Sequence, residues 1–100
     1  MQGKFDTIIN TDKPVLVDFY ADWCGPCKAV TPVLKQVKAS FNDGVRIIKV
    51  NVDNNPSLAG RFGIQSIPTL MLFRKGQTVW KGVGVRPVDE IRRVVEQAIG

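Results

Sequence analysis

The sequence is poor in residues that bind metal ions. It contains no histidine and only two cysteines, Cys24 and Cys27. A structural zinc site takes about four ligands, drawn mainly from these two residue types. One copy of the chain therefore lacks the ligands for such a site, and a site shared between two subunits is the alternative that stays open. We expect no bound metal and no other cofactor.

Long apolar runs are also absent. Residues 1–6 show no apolar stretch of the kind that a signal peptide or a transmembrane helix requires. We therefore expect no contact with membranes, and we place the chain in a reducing cytoplasm. Basic residues outnumber acidic ones by 14 to 9, but they are scattered and form no continuous basic strip. We expect no nucleic-acid binding and attribute the charge to solubility and to attraction of acidic partners.

What the sequence does contain is enough apolar material for one core. Hydrophobic residues make up 44% of the 100 residues, which suits one compact domain over residues 1–100. Strand and helix patterns alternate, and this predicts an α/β fold with a mixed sheet. Strands are predicted at residues 15–20, 45–52, 69–74 and 78–81, and helices at residues 5–11, 30–41, 56–62 and from Pro87 onward. The first two strands should be parallel, and the last two should form an antiparallel hairpin.

The two cysteines lie in the segment Trp23-Cys24-Gly25-Pro26-Cys27. Such a pair can close and open a small disulfide ring with little chain movement, and in a reducing compartment it is more often catalytic or metal-binding than structural. The segment joins a buried strand to a helix N-terminus, where free backbone N–H groups and the helix dipole favour a thiolate at Cys24. We expect Cys27, one turn further on, to be less exposed and less acidic.

Taken together and in this order, the motifs resemble the thioredoxin family from about residue 5 to residue 100. The matching segments are residues 17–19, 23–28, 32, 49–53, 63–64, 67–69 and 83–84. The resemblance implies a thioredoxin fold, with helices on both faces of the sheet in three layers. It also implies a thiol–disulfide oxidoreductase that reduces protein disulfides through Cys24 and Cys27. A thioredoxin reductase, linked to NADPH or to ferredoxin, would then reduce the chain again.

The resemblance also implies how a substrate is held. The peptide bond before Pro68 is expected in cis and facing the cysteines, with the backbone of Ile67 free to pair with an extended substrate chain. An apolar collar around the reactive sulfur would be formed by Trp23, Gly25, Pro26, Ile67, Pro68 and Gly84. Trp23 is predicted to be a surface contact for substrate, whereas Trp80 is predicted to pack in the last strand.

Asp18 interrupts an otherwise apolar strand. A buried carboxylate without a partner is unfavourable, so its pKa should be raised. The resemblance makes Asp18 the proton acceptor for Cys27, with Lys49 nearby to tune it. The alternatives are an Asp18 in contact with solvent at the edge of the sheet and a Lys49 that is merely solvated.

Two features of the sequence depart from the family pattern. Tyr20 stands where many thioredoxins have Trp. Family members usually start with an extra strand, yet only four residues precede Phe5. We therefore predict four strands, with residues 45–52 at an edge that Arg46 and Lys49 guard or that a second subunit covers. A monomer is expected, and a dimer through this edge is the alternative.

Two other functions fit the same fold. One is a disulfide oxidase or isomerase, against which Gly25-Pro26 and the missing export signal argue. The other is a non-catalytic binding module whose groove around Trp23 and Pro68 holds a partner protein. The sequence does not specify the reductase or the substrates.

Overall fold

Ten segments of regular structure follow one another along residues 2–100, which are the residues that the computed structural model describes. The helices are α1 (Gln2–Ile9), α2 (Val30–Phe41), α3 (Pro56–Arg61) and α4 (Val88–Ile99). The strands are β1 (Val15–Tyr20), β2 (Arg46–Asn51), β3 (Thr69–Arg74) and β4 (Gln77–Val83). Two short 3-10 helices, Pro26–Ala29 and Asn42–Gly44, flank α2.

One mixed sheet joins the four strands in the order β2-β1-β3-β4. Strands β1 and β2 are parallel and are connected through α2, whereas β3 is antiparallel to both β1 and β4. The turn between β3 and β4 is Lys75-Gly76, with φ of 54° and 79°, and such positive angles suit a tight hairpin. For residues 2–100, the predicted four-stranded sheet with its second strand at an edge is confirmed.

Helices cover both faces of this sheet. Successive residues of β1 point to opposite faces. Leu16 lies in a buried cluster with α2 and α4, and Val15, Val17 and Phe19 lie in a second cluster with α1 and α3. The predicted three-layer α/β/α arrangement is therefore confirmed. Trp80 is half-buried and packs against the first cluster, which confirms its predicted packing role.

Helix α1 begins and ends earlier than the predicted residues 5–11. The chain after Ile9 turns toward the β3–β4 hairpin, where the Thr11 carbonyl accepts a hydrogen bond from the Lys75 N–H at 2.8 Å. The Thr11 hydroxyl also donates to the Lys13 carbonyl at 2.9 Å. These contacts hold Thr11 in a turn, so the helix ends before it.

Two strand boundaries also differ from the prediction. Strand β2 is one residue shorter at each end than residues 45–52, because its pairing with β1 runs from Arg46 to Asn51. Strand β4 is longer than residues 78–81, because its pairing with β3 runs from Gln77 to Val83. No helix described within residues 2–100 is long and apolar enough to cross a membrane.

Candidate redox site

Cys24 and Cys27 form a disulfide just beyond the end of β1. Their Cα atoms are 5.4 Å apart, and a loop of residues 21–25 leads into the 3-10 helix Pro26–Ala29 that carries Cys27. Pro26 is the first residue of this helix, a position where the missing N–H of proline leaves no donor unpaired. The redox pair therefore lies where a strand leads into the start of a helix, as the sequence predicted.

The backbone around the pair favours negative charge on Cys24. The N–H group of Cys27 donates to the Sγ atom of Cys24 at 3.2 Å. This N–H belongs to the first turn of the helix, where backbone donors have no partner of their own. The same hydrogen bond to a reduced Cys24 would stabilise its thiolate over its thiol.

The expected difference in exposure between the two cysteines is wrong in the disulfide form. Cys24 is 3% exposed and Cys27 is 6% exposed, so Cys27 is not the less exposed of the two. Both cysteines pack with Ala21, and half-buried Tyr20, Val52 and Ile67 lie against this group. The disulfide holds Cys24 among these apolar neighbours, and position along the helix therefore does not decide its exposure.

Trp23 stands out from the surface beside the disulfide. Its side chain is 72% exposed, and its Nε1 donates to the Oδ2 atom of Asp53 at 2.8 Å. Asp53 is in turn held by its own N–H, which donates to the Oδ1 atom of Asn51 at 2.9 Å. The end of β2 thus orients the indole ring. Sequence reasoning noted Asp53 only as part of a matching segment and missed this contact.

The cis peptide bond between Ile67 and Pro68 is confirmed. Pro68 is buried, and Ile67 is half-buried against the cysteine pair. Gly84 lies next to this turn, since its N–H donates to the Pro68 carbonyl at 2.8 Å with a φ of 84°. A side chain is disfavoured at this angle. The structure therefore brings Ile67, Pro68 and Gly84 together and places Ile67 against the disulfide, with Gly25 and Pro26 exposed on the helix start.

Asp18 is fully buried on the face of the sheet that α2 and α4 cover. Its exposure is 0%, and neither carboxylate oxygen has a hydrogen-bond partner within residues 2–100. Burial raises the pKa of Asp18 to about 6, and the positive charge of Lys49 partly opposes this rise. The alternative of a solvent-exposed Asp18 is therefore wrong.

Lys49 lies opposite Asp18 in the parallel pairing of β1 and β2. Its ammonium group is 4.6 Å from the centroid of the Tyr20 ring, a distance at which a cation is attracted to the face of an aromatic ring. Lys49, Tyr20 and both cysteines line one cavity of about 180 Å³. Lys49 is thus paired in register with the buried Asp18 and lines the same cavity as the redox pair.

Carboxylates and cysteines do not gather into a metal site in the part of the chain that is described. No group of three or more His, Cys, Asp or Glu residues that could hold a metal ion occurs within residues 2–100.

Three features together define the class of this protein: a four-stranded mixed sheet between helix layers, a redox-active cysteine pair after the first strand, and a cis-proline turn against that pair. That class is the thiol–disulfide oxidoreductases with a thioredoxin fold.

Comparison with known proteins agrees with this class. The family model described as Thioredoxin matches residues 1–97. Thioredoxin 1 of Chlorobaculum tepidum is 47% identical over 101 residues, covering all of both chains. Thioredoxin 1 of Synechococcus elongatus is 44% identical over 90% of this chain and 84% of its own. The chain belongs to the thioredoxin family, and it is a disulfide oxidoreductase that reduces protein disulfides.

Solved structures show the same relationship in three dimensions. A mutant thioredoxin from Halobacterium salinarum superposes with a TM-score of 0.90 at 34% identity, covering all of this chain and 87% of that one. The oxidised mitochondrial thioredoxin 3 of Saccharomyces cerevisiae superposes with a TM-score of 0.85 at 30% identity, covering 96% and 89% of the two chains. The thioredoxin fold that the sequence predicted is confirmed.

Proposed function

We propose that Cys24 is the attacking thiol and Cys27 the resolving thiol. The Cys24 thiolate attacks one sulfur of a substrate disulfide, the substrate S–S bond breaks, and the second substrate sulfur leaves as a thiolate that takes a proton from solvent. Cys27 then loses its proton and attacks the Sγ of Cys24, which releases the first substrate sulfur and leaves the Cys24–Cys27 disulfide. The substrate gains two electrons and the dithiol loses two. The observation that carries this assignment is the hydrogen bond that the Cys27 N–H donates to the Cys24 Sγ.

Asp18 is proposed as the acceptor of the Cys27 proton. Its carboxyl group is buried and has a pKa of about 6, so near neutral pH it is ionised and still basic enough to take a proton from a thiol. Lys49 would tune this basicity from the shared cavity. The support is the position of Lys49, which is paired in register with Asp18 on the neighbouring strand and lines the same cavity as both cysteines.

The substrate chain is proposed to lie across the cis-proline turn. Ile67 is half-buried against the disulfide, and its backbone N–H and carbonyl have no hydrogen-bond partner within residues 2–100. An extended peptide could therefore pair with them, as in strand addition. The collar of Trp23, Gly25, Pro26, Ile67, Pro68 and Gly84 would then contact the substrate. Backbone pairing carries little sequence information, which supports a broad range of disulfide substrates.

The cellular role that we propose is that of an electron carrier in the cytoplasm. A thioredoxin reductase, linked to NADPH or to ferredoxin, would reduce the Cys24–Cys27 disulfide, and the chain, as one monomeric domain, would pass the electrons to protein disulfides. No cofactor is needed for this exchange.

The role of each cysteine is tested by two single substitutions. Cys24→Ser should abolish reduction of a disulfide-bonded protein such as insulin, because the nucleophile is lost. Cys27→Ser should retain the first attack and accumulate a mixed disulfide, which intact-protein mass spectrometry detects. Reduction by the Cys24→Ser variant would contradict the assignment, and absence of turnover in the unmodified chain with a reductase would favour a binding module.

The direction of electron flow is tested by the reduction potential of the cysteine pair. Equilibration in redox buffers, followed by counting thiols by mass, gives this potential. A value close to that of known thioredoxins, about −270 mV, supports a reductant. A value near about −180 mV or higher would instead indicate an oxidase or isomerase.

A further inference from the structure

The outer edge of β2 carries backbone groups without partners. The Arg46 N–H donates to the Pro14 carbonyl at 3.0 Å, and the Val52 N–H donates to the Tyr20 carbonyl at 2.8 Å. Even-numbered residues of this strand therefore direct their backbone groups toward β1, and odd-numbered residues direct theirs away from the sheet. Strand β2 has no second neighbour within residues 2–100. The N–H and carbonyl groups of Ile47 and Lys49 are consequently open.

Side chains close this edge at both ends. The Lys38 ammonium donates to the Val45 carbonyl at 2.7 Å, and the Asn55 side-chain amide donates to the Asn51 carbonyl at 2.9 Å. Between these two contacts nothing within residues 2–100 bonds to the outward groups. The open part of the edge is therefore centred on residues 47–49, and it fits an added strand of roughly three to five residues.

An apolar groove lies on each side of the open edge. The groove on the α2 side has a volume of about 380 Å³, with Leu34 and Ile47 among its lining residues. The groove on the α1 side has a volume of about 190 Å³ and includes Phe5, Ile8 and Ile48. A strand added at this edge would place successive side chains in the two grooves alternately. Strands that are buried on both faces have continuous apolar runs, so the occupant should have consecutive apolar residues.

The rims of both grooves are positively charged. Lys35, Lys38, Arg46 and Lys49 line the groove on the α2 side, and Lys4 lines the groove on the α1 side. No acidic residue lines either groove in the described chain. The charge of the edge is therefore complementary to an acidic segment.

The same charges argue against a second copy of this chain as the occupant. Pairing two β2 edges about a twofold axis would place Arg46 and Lys49 of one copy near the same residues of the other. Like charges on facing strands are destabilising, and neither groove supplies a carboxylate to offset them. A partner of opposite charge avoids this repulsion.

We propose that the open edge of β2 binds an extended segment of a partner protein as a fifth strand, through about three consecutive apolar residues flanked by acidic ones. The backbone groups of Ile47 and Lys49 pair with the segment, its apolar side chains fill the two grooves, and its carboxylates meet the basic rims. This interaction requires no cysteine and goes beyond disulfide exchange, because it gives the oxidoreductase a place to hold a partner outside the Trp23–Pro68 groove.

The proposal is tested with a synthetic heptapeptide that carries Val-Ile-Val between two pairs of Glu, is blocked at both ends and bears fluorescein. Anisotropy titration of the oxidised protein should show saturable binding that weakens as salt is raised. In 15N NMR spectra of the complex, the largest amide shifts should lie at Ile47 and Lys49. The peptide contains no sulfur, so the outcome does not depend on the roles assigned to the cysteines.

Two controls separate strand pairing from simple charge attraction. Reversing the charge of the rim with Lys35→Glu and Arg46→Glu should weaken binding about tenfold, which corresponds to about 1.4 kcal/mol. The matched variant Lys13→Glu with Arg93→Glu has the same net charge but should bind normally. Two further peptides are N-methylated at alternate residues, one at the odd positions and the other at the even positions. Only one of them should fail to bind the unmodified protein, because just one of these two sets of peptide N–H groups faces β2.

Several results would overturn the proposal. Equal weakening by the two charge-reversed pairs, or equal tolerance of both N-methylated sets, would show non-specific attraction without strand pairing. Amide shifts centred on Trp23 and Ile67 would place the peptide in the proposed substrate groove instead. Dimerisation through Ile47 and Lys49 in sedimentation experiments would identify a second copy as the occupant, and absence of binding at millimolar peptide would exclude this partner chemistry.

Discussion

Asp18 and Lys49 occupy paired positions on β1 and β2, yet their side chains form no ion pair in the described chain. The Lys49 ammonium lies over the Tyr20 ring at 4.6 Å from its centroid, while the Asp18 carboxyl remains buried and without a hydrogen-bond partner. Burial therefore dominates the pKa of Asp18, and Lys49 acts on it only through its field. Substitutions of Asp18, Lys49 and Tyr20 should therefore change the titration of this one carboxyl group or its effects.

Asp18→Asn should make the stability of the fold less dependent on pH. The pKa of Asp18 is raised to about 6, so the folded protein binds more protons than the unfolded chain between about pH 4 and pH 6, and its stability falls as pH rises through that window. The asparagine variant lacks this fall. The unfolding free energy of the variant minus that of the parent should therefore increase by roughly 2–3 kcal/mol from pH 4 to pH 7.

Urea unfolding at both pH values measures this difference. Asp22→Asn is the matched control, because it makes the same substitution at an exposed position in the loop after β1, and it should keep the fall in stability that Asp18 causes. An Asp18→Asn variant whose stability relative to the parent is the same at pH 4 and pH 7 would show that Asp18 has an ordinary pKa.

The same substitution should slow disulfide reduction and remove an inflection from its pH profile. Asp18 is ionised above about pH 6, where it can accept the Cys27 proton. We expect the rate of the unmodified protein to rise through that pH and the Asp18→Asn variant to lack this rise, with a rate at pH 7 lower by roughly 10-fold or more. Single-turnover reduction of a protein disulfide from pH 5 to pH 8 measures both; superimposable profiles would exclude the base role.

Lys49→Met should raise the pKa of Asp18 above about 6. The positive charge of Lys49 lowers this pKa against the effect of burial, and methionine keeps much of the side-chain length without the charge. Carboxyl 13C NMR shifts of Asp18 during a pH titration report the change. Lys35→Met removes an exposed charge from α2 and should leave the Asp18 titration in place. If both variants shift the pKa of Asp18 equally, the shift comes from the net charge of the protein and not from the position of Lys49.

Tyr20 should hold Lys49 in position. Tyr20→Leu removes the aromatic face and frees the ammonium group, so the pKa of Asp18 should move upward, by less than in Lys49→Met. Tyr20→Phe retains the ring and is the matched control, with a titration close to that of the parent. A cation–π contact at such a site contributes about 0.5–1 kcal/mol. A Tyr20→Leu protein that titrates like Tyr20→Phe would show that the ring does not position Lys49.

Gly82→Ala should destabilise the fold, whereas Gly60→Ala should stabilise it. A Cβ at Gly82 would lie 2.5 Å from Cζ2 of Trp80 and 2.9 Å from Cγ of Arg86, and overpacking of this kind typically costs about 1–3 kcal/mol. Gly60 lies in α3, where a Cβ would meet no atom within 4 Å apart from its chain neighbours and the backbone of its own helix, and alanine in a helix is favoured over glycine by about 1 kcal/mol. Thermal unfolding of both variants checks the opposite signs.

Local patterns in the sequence were sufficient for most of the architecture. The run of residues 15–20 and the turn Lys75-Gly76 predicted β1 and the β3–β4 hairpin, because strand burial and turn conformation depend mainly on neighbouring residues. The family resemblance supplied the cis bond before Pro68. Element ends were less certain, since α1 stops where the Thr11 carbonyl bonds to Lys75, a contact between segments far apart in the chain.

Contacts between distant segments were decided by the tertiary structure alone. The sequence determined the cysteine spacing, the start of the helix beside it and the presence of Asp18 in an apolar strand. Only the folded chain joins Trp23 to Asp53, places Lys49 over Tyr20, buries both cysteines and leaves the edge at Ile47 and Lys49 open. The physical reason is that periodicity fixes which face of an element is apolar, whereas side-chain partners across elements depend on how those faces pack together.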